Sequence, residues 1–248
     1  MKTFRDIFNE EFTSKDFVTP VYHGTPNPGF EKFRTDPSVY MPDRGLGVHV
    51  AKDPAIASTF TKDTGGVYPL KIPHESKFKE IDQPLLPYVK PGTPKTSSNV
   101  RTDQTEISHD MYHHAYPEHP EMLANHLHKM YNGSINPDQS QEMANNLISG
   151  KPVANPLHPE TKYTGVKDFL RRAGSLSHYA TEDERSKITN TYKDKLTKQG
   201  YAGIKYINTS PMETEHAKDP TCFVVFNPDH IKSRFQNESL TFRRVFAS

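Results

Sequence analysis

The chain has 248 residues, a formal net charge of +1, one cysteine, 33% hydrophobic residues, 21 prolines and no tryptophan. One cysteine excludes an intrachain disulfide framework, and the near-neutral charge excludes a surface built generally for polyanions. No apolar run approaches bilayer-crossing length and the N-terminus lacks the basic–apolar–small pattern of a secretion signal, so a soluble protein of the cytoplasm is expected.

Behind Thr3, the residues Phe4, Ile7, Phe8 and Phe12 fall at helical spacing and predict an amphipathic helix. Next comes Val21-Tyr22-His23-Gly24-Thr25, a β-prone pair followed by an imidazole and a glycine. Gly24 lets the chain pass close to a ligand, and His23 can donate to a hydroxyl while accepting from a neighbour. Gly45-Leu46-Gly47-Val48-His49-Val50-Ala51 predicts a second strand, with Val48 and Val50 on one face and His49 on the other, toward a cleft. Asp53 and Pro54 then open a helix as N-cap and first helical residue, and Ala57 and Phe60 share one of its faces. Val67-Tyr68-Pro69-Leu70-Lys71-Ile72 predicts a third strand, whose proline favours a sheet edge.

Pro84, Pro87, Pro91 and Pro94 make 83–105 an expected extended loop, and a helical insertion follows it. Helical character runs over 122–131, 139–148 and 166–172, broken by Asn132-Gly133-Ser134 and Gly150-Lys151-Pro152. Thr181-Glu182-Asp183-Glu184 is a capping box whose helix runs to Gln199, with Gly200 as its stop. Two late strands are expected, one in Gly200-Tyr201-Ala202-Gly203-Ile204-Lys205-Tyr206-Ile207-Asn208 and one opening 222–232, with Glu213 and Glu215 on the loop between them. Cys222, flanked by Phe223 and Val224, reads as an inert buried thiol. A histidine-rich stretch contains His109, His113, His114, His119, His126 and His128. His109 and His113 have the spacing of a zinc pair on one helix face, but Pro117 and Pro120 interrupt the segment and spacing names no third ligand, so no metal is assigned.

Taken together, the three motifs resemble the His-type branch of the ADP-ribosyltransferases, closest to domains of phage polyvalent proteins and more distantly to poly(ADP-ribose) polymerases and diphtheria toxin. The resemblance covers roughly residues 19–75 and 196–235. It implies an α+β fold with two small, mostly antiparallel sheets around an NAD cleft, formed by 1–82 and 196–248, with 83–195 as a helical and loop insertion. It implies that His23 binds the adenosine-side ribose and that the Gly24 backbone pairs with the nicotinamide amide. His49 falls where the family has a tyrosine, and Phe60 falls on the second aromatic that flanks the ring. Thr25 and Gly47 complete the expected NAD-binding set. Ala202 replaces the usual acidic residue of the late glycine-tyrosine motif.

Polymer-elongating relatives carry a glutamate where this chain has Cys222, so elongation is not expected. Single transfer remains, because the nicotinamide–ribose bond breaks through an oxocarbenium-like state that strain and local fields promote. Glu213, with Glu215 second, is the carboxylate expected to assist the acceptor or the ribose 2′-hydroxyl. The implied activity is mono-ADP-ribosyl transfer from NAD to a host macromolecule, a protein before a nucleic acid, in the host cytoplasm or from a virion. The alternative is an inactive fold kept as a structural or interaction module, with Cys222 as its support.

Overall fold

A computed structural model describes residues 16–27, 29, 33, 45–62, 65–81, 103–174 and 176–234. The helix expected over Phe4 to Phe12 and most of the proline-rich loop lie outside these residues. The described residues are α+β and fall into two compact units, one drawn from 1–34, 47–80 and 200–248, the other from 35–46 and 81–199. Among them, no helix is long and apolar enough to cross a membrane.

The first unit is built on one seven-stranded sheet in the order β4-β7-β8-β2-β1-β3-β9. Its strands are β1 (Phe17–Thr25), β2 (Val48–Ala51), β3 (Gly66–Pro73), β4 (Phe78–Glu80), β7 (Gly203–Ile207), β8 (Thr221–Val225) and β9 (Lys232–Ser233). All neighbours are antiparallel except β4 and β7. Alternation decides what each face carries: Val21, Val48, Val50, Leu70, Ile72, Phe223 and Val225 point to one side and form the core, sealed by an edge-to-face contact of Phe78 and Phe223 at 5.0 Å.

Two small sheets are expected from the sequence, and the strands instead join into one. The join is narrow. β1 and β2 share a single register pair, Tyr22 with Ala51, whereas β1 and β3 stay paired from Phe17 to Thr25. The sheet therefore has two halves, β4-β7-β8-β2 and β1-β3-β9, that meet at one point and part toward Gly24. Pro69 also departs from expectation, since β3 lies inside the sheet between β1 and β9. Its missing N–H costs nothing there, because β9 pairs only with Leu70 and Lys71, and the Pro69 carbonyl accepts from the Arg234 main chain at 3.2 Å.

Two short helices flank the sheet, α1 (Pro54–Ser58) after β2 and α7 (Pro211–Thr214) between β7 and β8, and they pack against each other. Asp53 caps α1 as expected, its Oδ1 accepting from Ala55 N at 2.9 Å.

The second unit holds α2 (Asp103–Ala115), α3 (Pro120–Met130), α4 (Pro137–Ile148), a hairpin of β5 (Pro152–Asn155) and β6 (His158–Thr164), α5 (Gly165–Ala173) and α6 (Glu182–Lys198). Ile107, Met111, Tyr112, Leu123, Leu127, Phe169, Ile188, Tyr192 and Leu196 are fully buried in it. The capping box at Thr181 forms with both hydrogen bonds, and Gly200 ends the run at φ +87°, a left-handed conformation that glycine adopts without strain. The hairpin is absent from the sequence reading for a physical reason: β6 buries Tyr163 alone, so no apolar alternation marks it.

Candidate functional site

The end of β1 carries His23, Gly24 and Thr25, and of the other expected residues Phe60 comes beside them. His23 follows Tyr22, the last residue of β1 paired with β2, and its Nδ1 lies 2.8 Å from the main-chain oxygen of His49. A carbonyl only accepts, so Nδ1 carries the proton and Nε2 has the lone pair in the neutral ring. Burial pushes the imidazole pKa below its ordinary value, against the pull of the His49 carbonyl, and the nearby His49 ring adds to the lowering. His23 is therefore neutral at pH 7. Its ring meets Phe33 edge to face at 4.9 Å, and Phe33 packs against the core.

Gly24 is required by packing. A Cβ built there would lie 1.7 Å from the Ala57 main-chain oxygen, so α1 presses directly on this residue. The same Ala57 oxygen accepts from Phe60 N at 3.2 Å, which places Phe60 beside Gly24 along the backbone. α1 ends at Ser58, however, so Phe60 sits in the following turn rather than on the helix, the residue 48% exposed. Ladder alternation fixes the direction of the Gly24 peptide groups. Pro69 turns its carbonyl to β9, so the opposed Tyr22, and Gly24 two residues on, direct N–H and C=O away from β3 toward β2. At Gly24 the β1–β2 ladder has already ended.

Thr25 closes β1 and its Oγ accepts from Asn27 N at 3.2 Å. Gly47, like Gly24, serves close packing, since a Cβ there would lie 2.3 Å from the Val225 oxygen. His49 projects opposite Val48 and Val50 as expected, with Nδ1 3.3 Å from the Tyr206 hydroxyl. Through alternation His23 shares the side of Val21, so the two imidazoles project to opposite sides of the sheet. What joins them is the ring of one and the carbonyl of the other.

Glu213 lies on α7, held by Asn208 Nδ2 at 2.7 Å, while Asn208 Oδ1 accepts from Ser210 N at 2.9 Å. Both ends of the buried Asn208 amide are thus assigned, and the carboxylate is oriented from beneath. Glu215 is exposed at the end of the same helix. Cys222 is a buried thiol on β8, in no disulfide, opposite Ala51 and Tyr206. Comparison with family models, curated proteins and solved structures returns no match.

Three residues join this set without having been singled out as candidates: Phe33, Tyr206 and Asn208. The last two stand in the late glycine-tyrosine motif, which was the available signal; nothing local marks Phe33. Among the described residues, no group of three or more His, Cys, Asp or Glu is placed to hold a metal ion. In the histidine-rich stretch, His126 is wholly buried, and His114 and His128 bond to the main-chain oxygens of Asp110 and Ile135.

Proposed function

We propose that the chain is a mono-ADP-ribosyltransferase with an ADP-ribosyltransferase fold, using NAD as donor toward a host macromolecule, a protein first. One observation carries the reading: the β1–β2 ladder stops at Tyr22, two residues before Gly24, whose N–H and C=O point away from β3 beyond the end of that ladder. An adjacent donor and acceptor on a rigid strand match a carboxamide, which offers one of each. His23 is neutral with Nε2 as an acceptor, suited to a ribose hydroxyl, and the exposed Phe60 ring offers a stacking surface. In the reaction the C1′–nicotinamide bond breaks, an acceptor nucleophile bonds to C1′ and loses its proton, and nicotinamide leaves. We assign Glu213, pinned by Asn208 on a helix that packs against α1, the role of taking that proton or holding the 2′-hydroxyl.

Incubation with NAD and quantification of free nicotinamide test the reading. Release is expected from the native chain and should fall up to about tenfold in His23→Ala, the loss of one hydrogen bond to the ribose. Glu213→Gln should lower it while the fold persists, since a glutamine oxygen still accepts from Asn208. A second reading rests on Cys222, a buried thiol where the resemblance would place a carboxylate: an inactive fold retained as an interaction or virion module. Calorimetry showing no NAD binding, together with no nicotinamide release, selects that module and ends the transferase reading.

A further inference from the structure

Away from Gly24, the first unit carries a hollow of about 410 Å³ walled by Val18 and Pro20 of β1, Lys52 after β2, His74 and Glu75 before β4, and Asp219 before β8. Pro20 precedes Gly24 by four residues, roughly 13 Å along a strand. Val18 and Pro20 point outward from β1, opposite the buried Phe17 and Thr19, and Val18 is 52% exposed. Lys52 Nζ lies 2.5 Å from Glu75 Oε1 and 3.9 Å from Asp219 Oδ2. Asp219 Oδ1 accepts from Thr221 N at 2.9 Å, which fixes the plane of that carboxylate. Asp53, behind the rim, is already engaged by the main-chain N–H groups of Ala55, Lys218 and Asp219.

One ammonium thus faces two carboxylates in an open hollow whose β1 side carries Val18 and Pro20, and in this wall the carboxylates outnumber the ammonium by one. We propose that this hollow receives an arginine side chain of a partner protein, its stem on Val18 and Pro20 and its guanidinium against Glu75 and Asp219. A planar fork with several donors can serve two carboxylates at once, and its weak hydration lowers the cost of leaving water. The aliphatic stem would lie on Val18 and Pro20, as such stems cover apolar surface elsewhere. An anion would meet the opposite balance, since Lys52, the one lysine among the described wall residues, is already held by Glu75. The inference does not rest on the transferase reading, because it concerns binding alone.

NMR titration of the full chain with N-acetyl-arginine amide tests it, using N-acetyl-citrulline amide as the uncharged counterpart and inorganic phosphate as the anion. The arginine probe should shift the amides of Val18, Lys52 and Asp219 saturably, with citrulline at least about tenfold weaker. Asp219→Asn should weaken arginine binding about fivefold, and Lys52→Gln should tighten it by a similar factor, because the internal cation that competes is gone. The sign of the lysine variant guards against a merely misfolded aspartate variant. Absence of saturable shifts in both the native chain and Lys52→Gln, weaker arginine binding in Lys52→Gln, or phosphate binding that Lys52→Gln removes would each overturn the proposal.

Discussion

His23 uses its two nitrogens for different ends. Nδ1–H replaces, from a side chain, a hydrogen bond that the parting strands no longer make through their backbones, and Nε2 keeps acceptor character. Gly24, next along, is set by the Ala57 oxygen against its Cα. Gly24→Ala should destabilise the chain by about 1–3 kcal/mol, because a methyl cannot share that space unless α1 shifts. Urea unfolding monitored by circular dichroism measures it. An unchanged midpoint would show that α1 moves aside freely.

At the scale of elements, the short α1 owes its position to Asp53 more than to its own length. One carboxylate caps α1 through Ala55 N and ties it to the approach to β8 through Lys218 N at 2.7 Å and Asp219 N at 3.3 Å. Burial works against the charged form, but these N–H groups outweigh it and hold the Asp53 pKa below its ordinary value. Asp53→Ala should cost about 1–2 kcal/mol, the upper part of the range for a lost N-cap. Asp53→Asn should recover most of this, because an amide oxygen still accepts, and equilibrium unfolding of the three proteins side by side gives the comparison. In the second unit, Tyr116 donates to His126 Nδ1 at 2.8 Å and His126 Nε2 faces Glu184 Oε2 at 3.3 Å. Glu184 also closes the α6 capping box by accepting from Thr181 N, so a neutral histidine links α3 to the start of α6.

Across the whole molecule, these arrangements give stability one pH sign. Burial lowers the pKa values of His23, His119, His126 and His230 from the ordinary 6.5. Below that value the unfolded chain takes up protons before the folded one, so stability is complete above about pH 6.5 and declines as acid is added. Asp53, Glu184 and Asp219, whose pKa values are also lowered, act in the same direction at lower pH, as protonation releases the hydrogen bonds they accept. Urea midpoints should therefore fall from pH 7.5 to pH 5.5, with a further fall toward pH 4. A midpoint that rises on acidification would contradict the neutral assignment of His23 and His126.

The sequence by itself determined the elements whose signals are local: β1 and β2 through alternation, the start of α1 through Asp53 and Pro54, and α6 through its capping box and Gly200. Such signals act over a few residues, where chain geometry leaves little choice. Only the tertiary structure decided that β1 and β2 meet at one pair, that Pro69 lies inside the sheet, and that Phe60 stands beyond its helix. It also decided that His23 grips the main chain of His49, 26 residues away, and that His49 reaches Tyr206 across 157. Those contacts follow from strand register, and a register is chosen by the packing of all its strands together rather than by any stretch read alone.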